Sequence, residues 1–204
     1  MTDLLIIGVT GGIGCGKSEV LKYLKEAWNA ELIQLDEVSR ELTLPGGECV
    51  EDVISLLGQE VVNEDGSLNR GRMAEIVFAD EKLRRQLNAI IHPAVKKKTI
   101  GLLKAMREKG SPLAVIEAAL LLEDNYDAIC SEIWYIYADE ATRYRRLVSS
   151  RGYSGARIEA VFRSQMKEEE FRARTDYVID NSGAFSHTRE QIDSRMRELT
   201  GLKR

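Results

Sequence analysis

The hydrophobic pattern changes period along the chain. Leu4-Leu5-Ile6-Ile7-Gly8-Val9 is a short, nearly continuous apolar run, after which Val20, Leu21, Leu24 and Trp28 recur at helical spacing. The first pattern suits a buried strand and the second a helix with one apolar face. Glu31 to Leu35, Pro112 to Ile116 with Glu117 at its end, Ile133 to Tyr137, and Asp176 to Asp180 read as four further strands. A second helix is predicted over Glu37 to Leu42, with Asp36 as its N-cap. A closing helix from Thr188 to Leu199 turns Ile192, Met196 and Leu199 inward. Strands that alternate with helices predict an α/β fold: about five parallel strands with helices on both faces.

Two intervals depart from simple alternation. From Pro45 to Gly110 the pattern is largely helical: Val50, Val53, Ile54 and Leu57 share a face closed by Gly58, and Met73, Ile76 and Val77 begin another helix. Leu83, Leu87, Ile90 and Ile91 form the next, expected to stop before His92-Pro93 because a residue preceding proline is pushed out of the helical region. Val95, Leu102, Leu103 and Met106 carry a last helix up to Gly110. This predicts a helical substrate-binding insertion over 40–110, within a core made of 1–39, 111–139 and 171–204. Between the fourth and fifth strands, two predicted helices over 140–170 hold Arg143, Arg145, Arg146, Arg151, Arg157 and Arg163. Guanidinium groups match phosphate oxygens bidentately, so these helices read as a lid over polyphosphate. Pairing with Glu140, Glu159, Glu168, Glu169 and Glu170 on an exposed hairpin accounts for most of those arginines.

Composition narrows the function. A chain of 204 residues with 44% hydrophobic and 30% charged residues is an ordinary globular protein. Its net charge of −4 argues against a broad nucleic-acid or membrane-surface partner, which would favour a basic face. Cys15, Cys49 and Cys130 contain no C-x-x-C, so neither a disulfide framework nor a zinc site is implied. No apolar run approaches the ~20 residues that cross a bilayer. No basic segment followed by a secretory apolar stretch precedes the first strand, so the cytoplasm is expected.

The chemistry concentrates in Gly11-Gly12-Ile13-Gly14-Cys15-Gly16-Lys17-Ser18, which fits G-x-x-x-x-G-K-[ST] between a strand and a helix. Its glycines let several N–H groups turn toward a polyphosphate, and the following helix adds its dipole. Gly12 through Ser18 are therefore candidates to bind ATP. Lys17 would lie along the β- and γ-phosphates, and the Ser18 hydroxyl would take one position on Mg²⁺. Cys15 sits at a variable motif position and reads as a small spacer. Asp36, beyond the second strand, is placed to accept a hydroxyl proton or help hold the metal. Glu117 ends the third strand as an acid does near magnesium in such enzymes, and Glu123, after the apolar run Leu120-Leu121-Leu122, is a further candidate to line the site. Asn181, in the polar turn Asn181-Ser182-Gly183, is a candidate to touch the nucleotide base.

These residues resemble the dephospho-CoA kinase family over nearly the whole chain. Gly8 to Ile13 leading to Gly16-Lys17-Ser18, Asp36 with Arg40-Glu41-Leu42, and Pro45-Gly46 are similar to its opening blocks. Asp65-Gly66-Ser67-Leu68-Asn69-Arg70, Val77-Phe78, Leu87-Asn88 and His92-Pro93 are similar to its substrate region. Arg146-Leu147, Arg151, Arg163 with Gln165, and Asp176 to Asn181 are similar to its lid and closing strand. The resemblance implies a P-loop kinase core, a helical CoA-binding region and a lid, with dephospho-CoA as acceptor and ATP with Mg²⁺ as donor. It also implies that Asp36 sits near the ribose 3′-hydroxyl, that Arg70 and His92 hold dephospho-CoA, and that Arg146 acts catalytically from the lid. Glu117 would belong to the substrate wall. There the chain reads Glu117-Ala118-Ala119-Leu120-Leu121-Leu122-Glu123, without the family's proline and phenylalanine and with Glu in place of Asp. A nucleoside or nucleoside-monophosphate kinase shares this core and lid. A P-loop regulatory switch would carry guanine-specific N-K-x-D, which is absent. A monomer or small homo-oligomer is expected.

Overall fold

A five-stranded sheet carries the phosphate-binding motif. The computed structural model describes residues 4–118, 121–122 and 125–201. Its strands are β1 (Leu5–Thr10), β2 (Glu31–Gln34), β3 (Leu113–Glu117), β4 (Glu132–Tyr137) and β5 (Tyr177–Asp180), in the order β2-β3-β1-β4-β5. The β1–β3, β1–β4 and β4–β5 pairs are parallel, with Val9 opposite both Glu117 and Trp134. The helices are α1 (Lys17–Trp28), α2 (Leu35–Leu42), α3 (Val50–Leu57), α4 (Arg70–Ala79), α5 (Glu81–Lys109), α6 (Glu140–Arg151), α7 (Gly155–Ser164), α8 (Glu168–Arg174) and α9 (Phe185–Thr200). Contacts divide the chain into two compact units, Met1–Leu32 with Gly110–Arg204, and Ile33–Lys109.

In the first unit the strands are apolar between their ends because both sheet faces are covered. Ile7, Val9, Leu113, Val115, Trp134, Ile136 and Ile179 form one buried cluster with Val20, Leu21 and Leu24 of α1 and Ile192 and Met196 of α9. Strand side chains alternate between faces, so Gly8 and Tyr135 look the other way. A side chain on Gly8 would meet Cys130 Sγ at 3.0 Å, and Tyr135 stacks on Phe171 of α8 with centroids 4.6 Å apart. Among the described residues no helix is long and apolar enough to cross a membrane.

The second unit is built on α5, against which α2, α3 and α4 pack. Here the structure corrects the sequence. Pro93 does not end a helix; it lies inside α5, which continues for 29 residues. A mid-helix proline costs about 3 kcal/mol. Burying Leu87, Val95 and Leu103 on either side of it contributes about 1.5–3 kcal/mol each, which outweighs that cost. The second strand likewise stops at Gln34, and Leu35 opens α2, so Asp36 lies in the first helical turn instead of capping it. Leu35, Val38 and Leu42 are the buried residues of α2, and this helical periodicity claims Leu35 from the strand. Between β4 and β5 there are three helices where two were expected. The third, α8, begins at the acidic run Glu168-Glu169-Glu170, favourable at a helix N-terminus, and buries Phe171. Glu123 lies outside the described residues, as do Ala119 and Leu120.

Among the described residues of the first unit, Glu132 is a buried charged group. Glu132 is 5% exposed, accepts a hydrogen bond from Trp134 Nε1 at 2.6 Å, and is gripped by the Arg195 guanidinium through Nε at 3.1 Å and through Nη2. Removing one partner of a buried ion pair leaves an uncompensated charge. Arg195→Ala is therefore expected to destabilise the fold by about 3–5 kcal/mol. Urea unfolding followed by circular dichroism measures this, and a loss below about 1 kcal/mol would show that Glu132 is satisfied without Arg195.

Candidate active site

The glycine-rich loop joins β1 to α1 and is held from behind. Gly16, the residue before α1, has φ 90° in the left-handed region, where glycine is favoured. A side chain there would collide with Asn181 Nδ2 and approach Arg146 Nη1 to 3.3 Å. No side chain caps α1; the Glu19 and Val20 N–H groups donate to the Gly16 carbonyl at 3.1 and 3.4 Å, and the start of the helix turns its dipole and its first N–H groups toward the loop, where an anion binds. Lys17 Nζ donates to the Gly11 carbonyl at 2.7 Å and stands 3.9 Å from Glu117 Oε1. Those two side chains are 16% and 13% exposed, sheltered enough for their charges to act strongly.

Behind the loop, Asn181 is fully buried. Its Nδ2 donates to the Cys15 carbonyl at 2.8 Å, and its Oδ1 accepts from Thr188 Oγ1 at 2.8 Å. The structure thus corrects the expectation that Asn181 touches the base: its amide supports the loop's own backbone. Arg146 reaches the same place from α6, donating to the Cys15 carbonyl at 3.2 Å and the Asn181 carbonyl at 2.9 Å. Two further residues join the loop that its motif does not reveal. Arg143 Nε donates to the Ile13 carbonyl at 2.9 Å, and Gln165 Oε1 accepts from the Ile13 N–H at 3.2 Å. Arg143 stood out in the sequence only as one of six arginines; Gln165 stood out only through the family blocks.

The Cys15 thiol is 1% exposed, and burial pushes its pKa up, against the opposing pull of Lys17, Arg143 and Arg146. A protonated, enclosed thiol is a spacer and not a nucleophile. Burial likewise pushes the Tyr135 phenol up to about 12, so it stays neutral through the physiological range. Ser18 lies in the exposed first turn of α1. Among the described residues no group of three or more His, Cys, Asp or Glu side chains is arranged to hold a metal ion. A hydroxyl beside a phosphate cradle nevertheless fits Mg²⁺, which keeps several waters and is bound mostly through substrate phosphates.

The other candidates belong to the second unit. Asp36 is exposed on α2, directly after β2. Arg70, at the start of α4, donates to Thr43 Oγ1 at 3.0 Å and borders a groove of about 260 Å³ lined by Ser39, Met73, Val77, Leu87 and Ile91. His92 is half-buried on α5, next to Ile91 of that groove. Lys97 and Lys98 are engaged by Glu48 at 2.7 Å and Glu41 at 2.6 Å, as an ion-paired helix face should be.

A strand–loop–helix phosphate cradle with an invading lysine, set in a parallel sheet, defines a P-loop kinase. Shikimate kinase from Bacteroides thetaiotaomicron shares that fold at TM-score 0.54 and 13% identity, covering 98% of this chain and 100% of its own. Similarity is greater to the crystal structure of TT1252 from Thermus thermophilus: TM-score 0.81 and 30% identity over 96% of this chain and 98% of that one. The dephospho-CoA kinase of Symbiobacterium thermophilum is 38% identical over 196 residues, covering 96% of this chain and 82% of that protein. The family model for dephospho-CoA kinase matches residues 5–187. The chain belongs to the dephospho-CoA kinase family.

Burial of Cys15 has a direct test. In the native protein iodoacetamide at pH 8 is expected to spare Cys15, with alkylation appearing only on unfolding. Rapid native labelling of Cys15, read by peptide mass spectrometry, would show that the loop opens far more than its packing allows.

Proposed function

We propose that the protein transfers the γ-phosphoryl group of ATP to the ribose 3′-hydroxyl of dephospho-CoA, giving coenzyme A and ADP. The observation that carries this reading is the sheltered Lys17 ammonium on the loop, in a chain matched to the family from residue 5 to 187. Phosphoryl transfer asks the protein mainly for positioning and for charge placed where charge develops. Loop amides and the α1 N-terminus hold the phosphates, and Lys17 spreads its charge over the β- and γ-oxygens. Mg²⁺, when bound with help from the Ser18 hydroxyl, neutralises charge on the phosphate oxygens and aligns them. Arg146 adds a second positive charge beside the loop; its contacts with the Cys15 and Asn181 carbonyls support that assignment.

Asp36 orients the acceptor hydroxyl and takes its proton. Its exposed carboxylate immediately follows β2, and ligands of open α/β sheets lie beyond the carboxyl ends of strands. Arg70 and His92 hold the acceptor, with Arg70 at the rim of an apolar groove where a guanidinium can meet a phosphate. Glu117 restrains Lys17 and lines the acceptor side. We assign residues 40–110 to acceptor binding and residues 140–170 to a lid that excludes water, which otherwise competes as acceptor. The reaction belongs in the cytoplasm, with the protein a monomer or small homo-oligomer.

A coupled assay of ADP formation, run with dephospho-CoA, with AMP, with CMP and with no acceptor, decides the acceptor. Turnover is expected only with dephospho-CoA; turnover with a nucleoside monophosphate alone would overturn the assignment. Lys17→Ala should lower kcat by about 100-fold or more with the circular dichroism spectrum unchanged. Near-normal turnover in that variant would remove Lys17 from the mechanism.

A further inference from the structure

Gly11, Gly12, Gly14 and Gly16 make four glycines in the six residues that precede Lys17. Glycine backbone is the most permissive of all, and Ile13 has glycine on either side. Inside the loop the Cys15 N–H holds the Gly12 carbonyl at 3.2 Å, and the Ile13 N–H and carbonyl are left to be fixed from outside it. A phosphate cradle works only if its N–H groups already point inward, so that restraint matters to function.

The restraint is a closed ring of hydrogen bonds. The Ile13 carbonyl accepts from Arg143 Nε at 2.9 Å, the Ile13 N–H donates to Gln165 Oε1 at 3.2 Å, and the same oxygen accepts from Arg143 Nη2 at 2.6 Å. Both peptide groups flanking the Ile13 Cα are thereby fixed. The Arg143 guanidinium is itself steadied over the Phe162 ring, 4.3 Å from its centroid. Gly12 leaves room for the ring: a side chain there would lie 2.7 Å from Arg143 Nη2 and 2.9 Å from Gln165 Oε1. Gln165 immediately follows α7, so it ties the arginine-rich helices to the loop.

We propose that Gln165 is a positioning residue for the donor nucleotide: through its side-chain oxygen it fixes the Ile13 peptides and Arg143, and so sets the loop in its ATP-binding conformation. Only its oxygen is committed to the ring, so the function needs an acceptor of this reach and not merely a side chain of this volume. The proposal rests on the phosphate loop binding ATP but not on the identity of the acceptor.

Gln165→Met keeps the length and removes the acceptor. Calorimetry with MgATP is expected to show affinity reduced about tenfold, as the loss of one charge-assisted hydrogen bond implies, with melting temperature and the KM for dephospho-CoA within twofold or a few degrees of wild type. Exchange of the Ile13 amide hydrogen should accelerate while the sheet amides stay protected. Combining Gln165→Met with Arg143→Met should cost less than the sum of the two, because both break one ring. Gln165→Asn, too short to reach, should behave as Gln165→Met does and serves if the latter expresses poorly. Unchanged ATP affinity, or a parallel loss of ATP affinity, acceptor affinity and melting temperature, would overturn the proposal. Because ATP binding is read without any acceptor, a wild-type enzyme that ignored dephospho-CoA would leave this result standing by itself.

Discussion

Everything in the first unit serves one constraint: a flexible stretch of backbone must present its N–H groups in a fixed direction before an anion arrives. Glycine supplies the turns, at the cost of freedom that has to be removed elsewhere. The chain removes it with hydrogen bonds to loop carbonyls, which leave the N–H side for a ligand. Gly11 bonds to Lys17, Ile13 to Arg143, and Cys15 to both Arg146 and Asn181. Of the loop N–H groups, that of Ile13 is spent on Gln165 and that of Cys15 on the Gly12 carbonyl. The cradle is thus shaped by what grips its outer edge.

This arrangement lets arginines close to the loop hold its backbone while bringing positive charge beside it. Arg143 and Arg146 are one helical turn apart on α6, so both side chains descend from one face of that helix. The Asp139 cap, whose carboxyl accepts from the Thr142 backbone N–H and hydroxyl at 2.8 Å each, sets where α6 begins and hence where those arginines land. These bonds hold the Asp139 carboxyl below the usual carboxylate range. The cap therefore operates fully above the ordinary carboxylate pKa and fails only as acid reaches the lower folded-state value.

Local pattern was sufficient for much of this architecture. The strand cores, α1, α3, α6 and α9 follow from periodicity and punctuation, because Gly58 and Gly152 end helices where their left-handed or extended backbone is needed. Elements decided by distant packing were not legible. Pro93 reads as a stop, yet three neighbouring helices hold α5 together across it. Leu35 fits a strand equally well until Val38 and Leu42 recruit it to a helix. In the site, Lys17 and Ser18 are marked as candidates by the motif itself. Asn181 reads in sequence as a contact for the base, and only the folded chain, which sets the end of β5 beside the loop, shows its amide turned inward to Cys15. Gln165 has no local signature, since its partner lies 152 positions away.

The proline within α5 leaves a lasting mark on the second unit. With no hydrogen on its nitrogen, Pro93 cannot complete the rung that would start from the Ala89 carbonyl, so this long rod is one rung short near its middle. Bending stiffness is lowest where rungs are missing, which locates the rod's most compliant point beside His92 instead of at either tip. Any ligand that leans on His92 therefore pushes where the rod yields most easily.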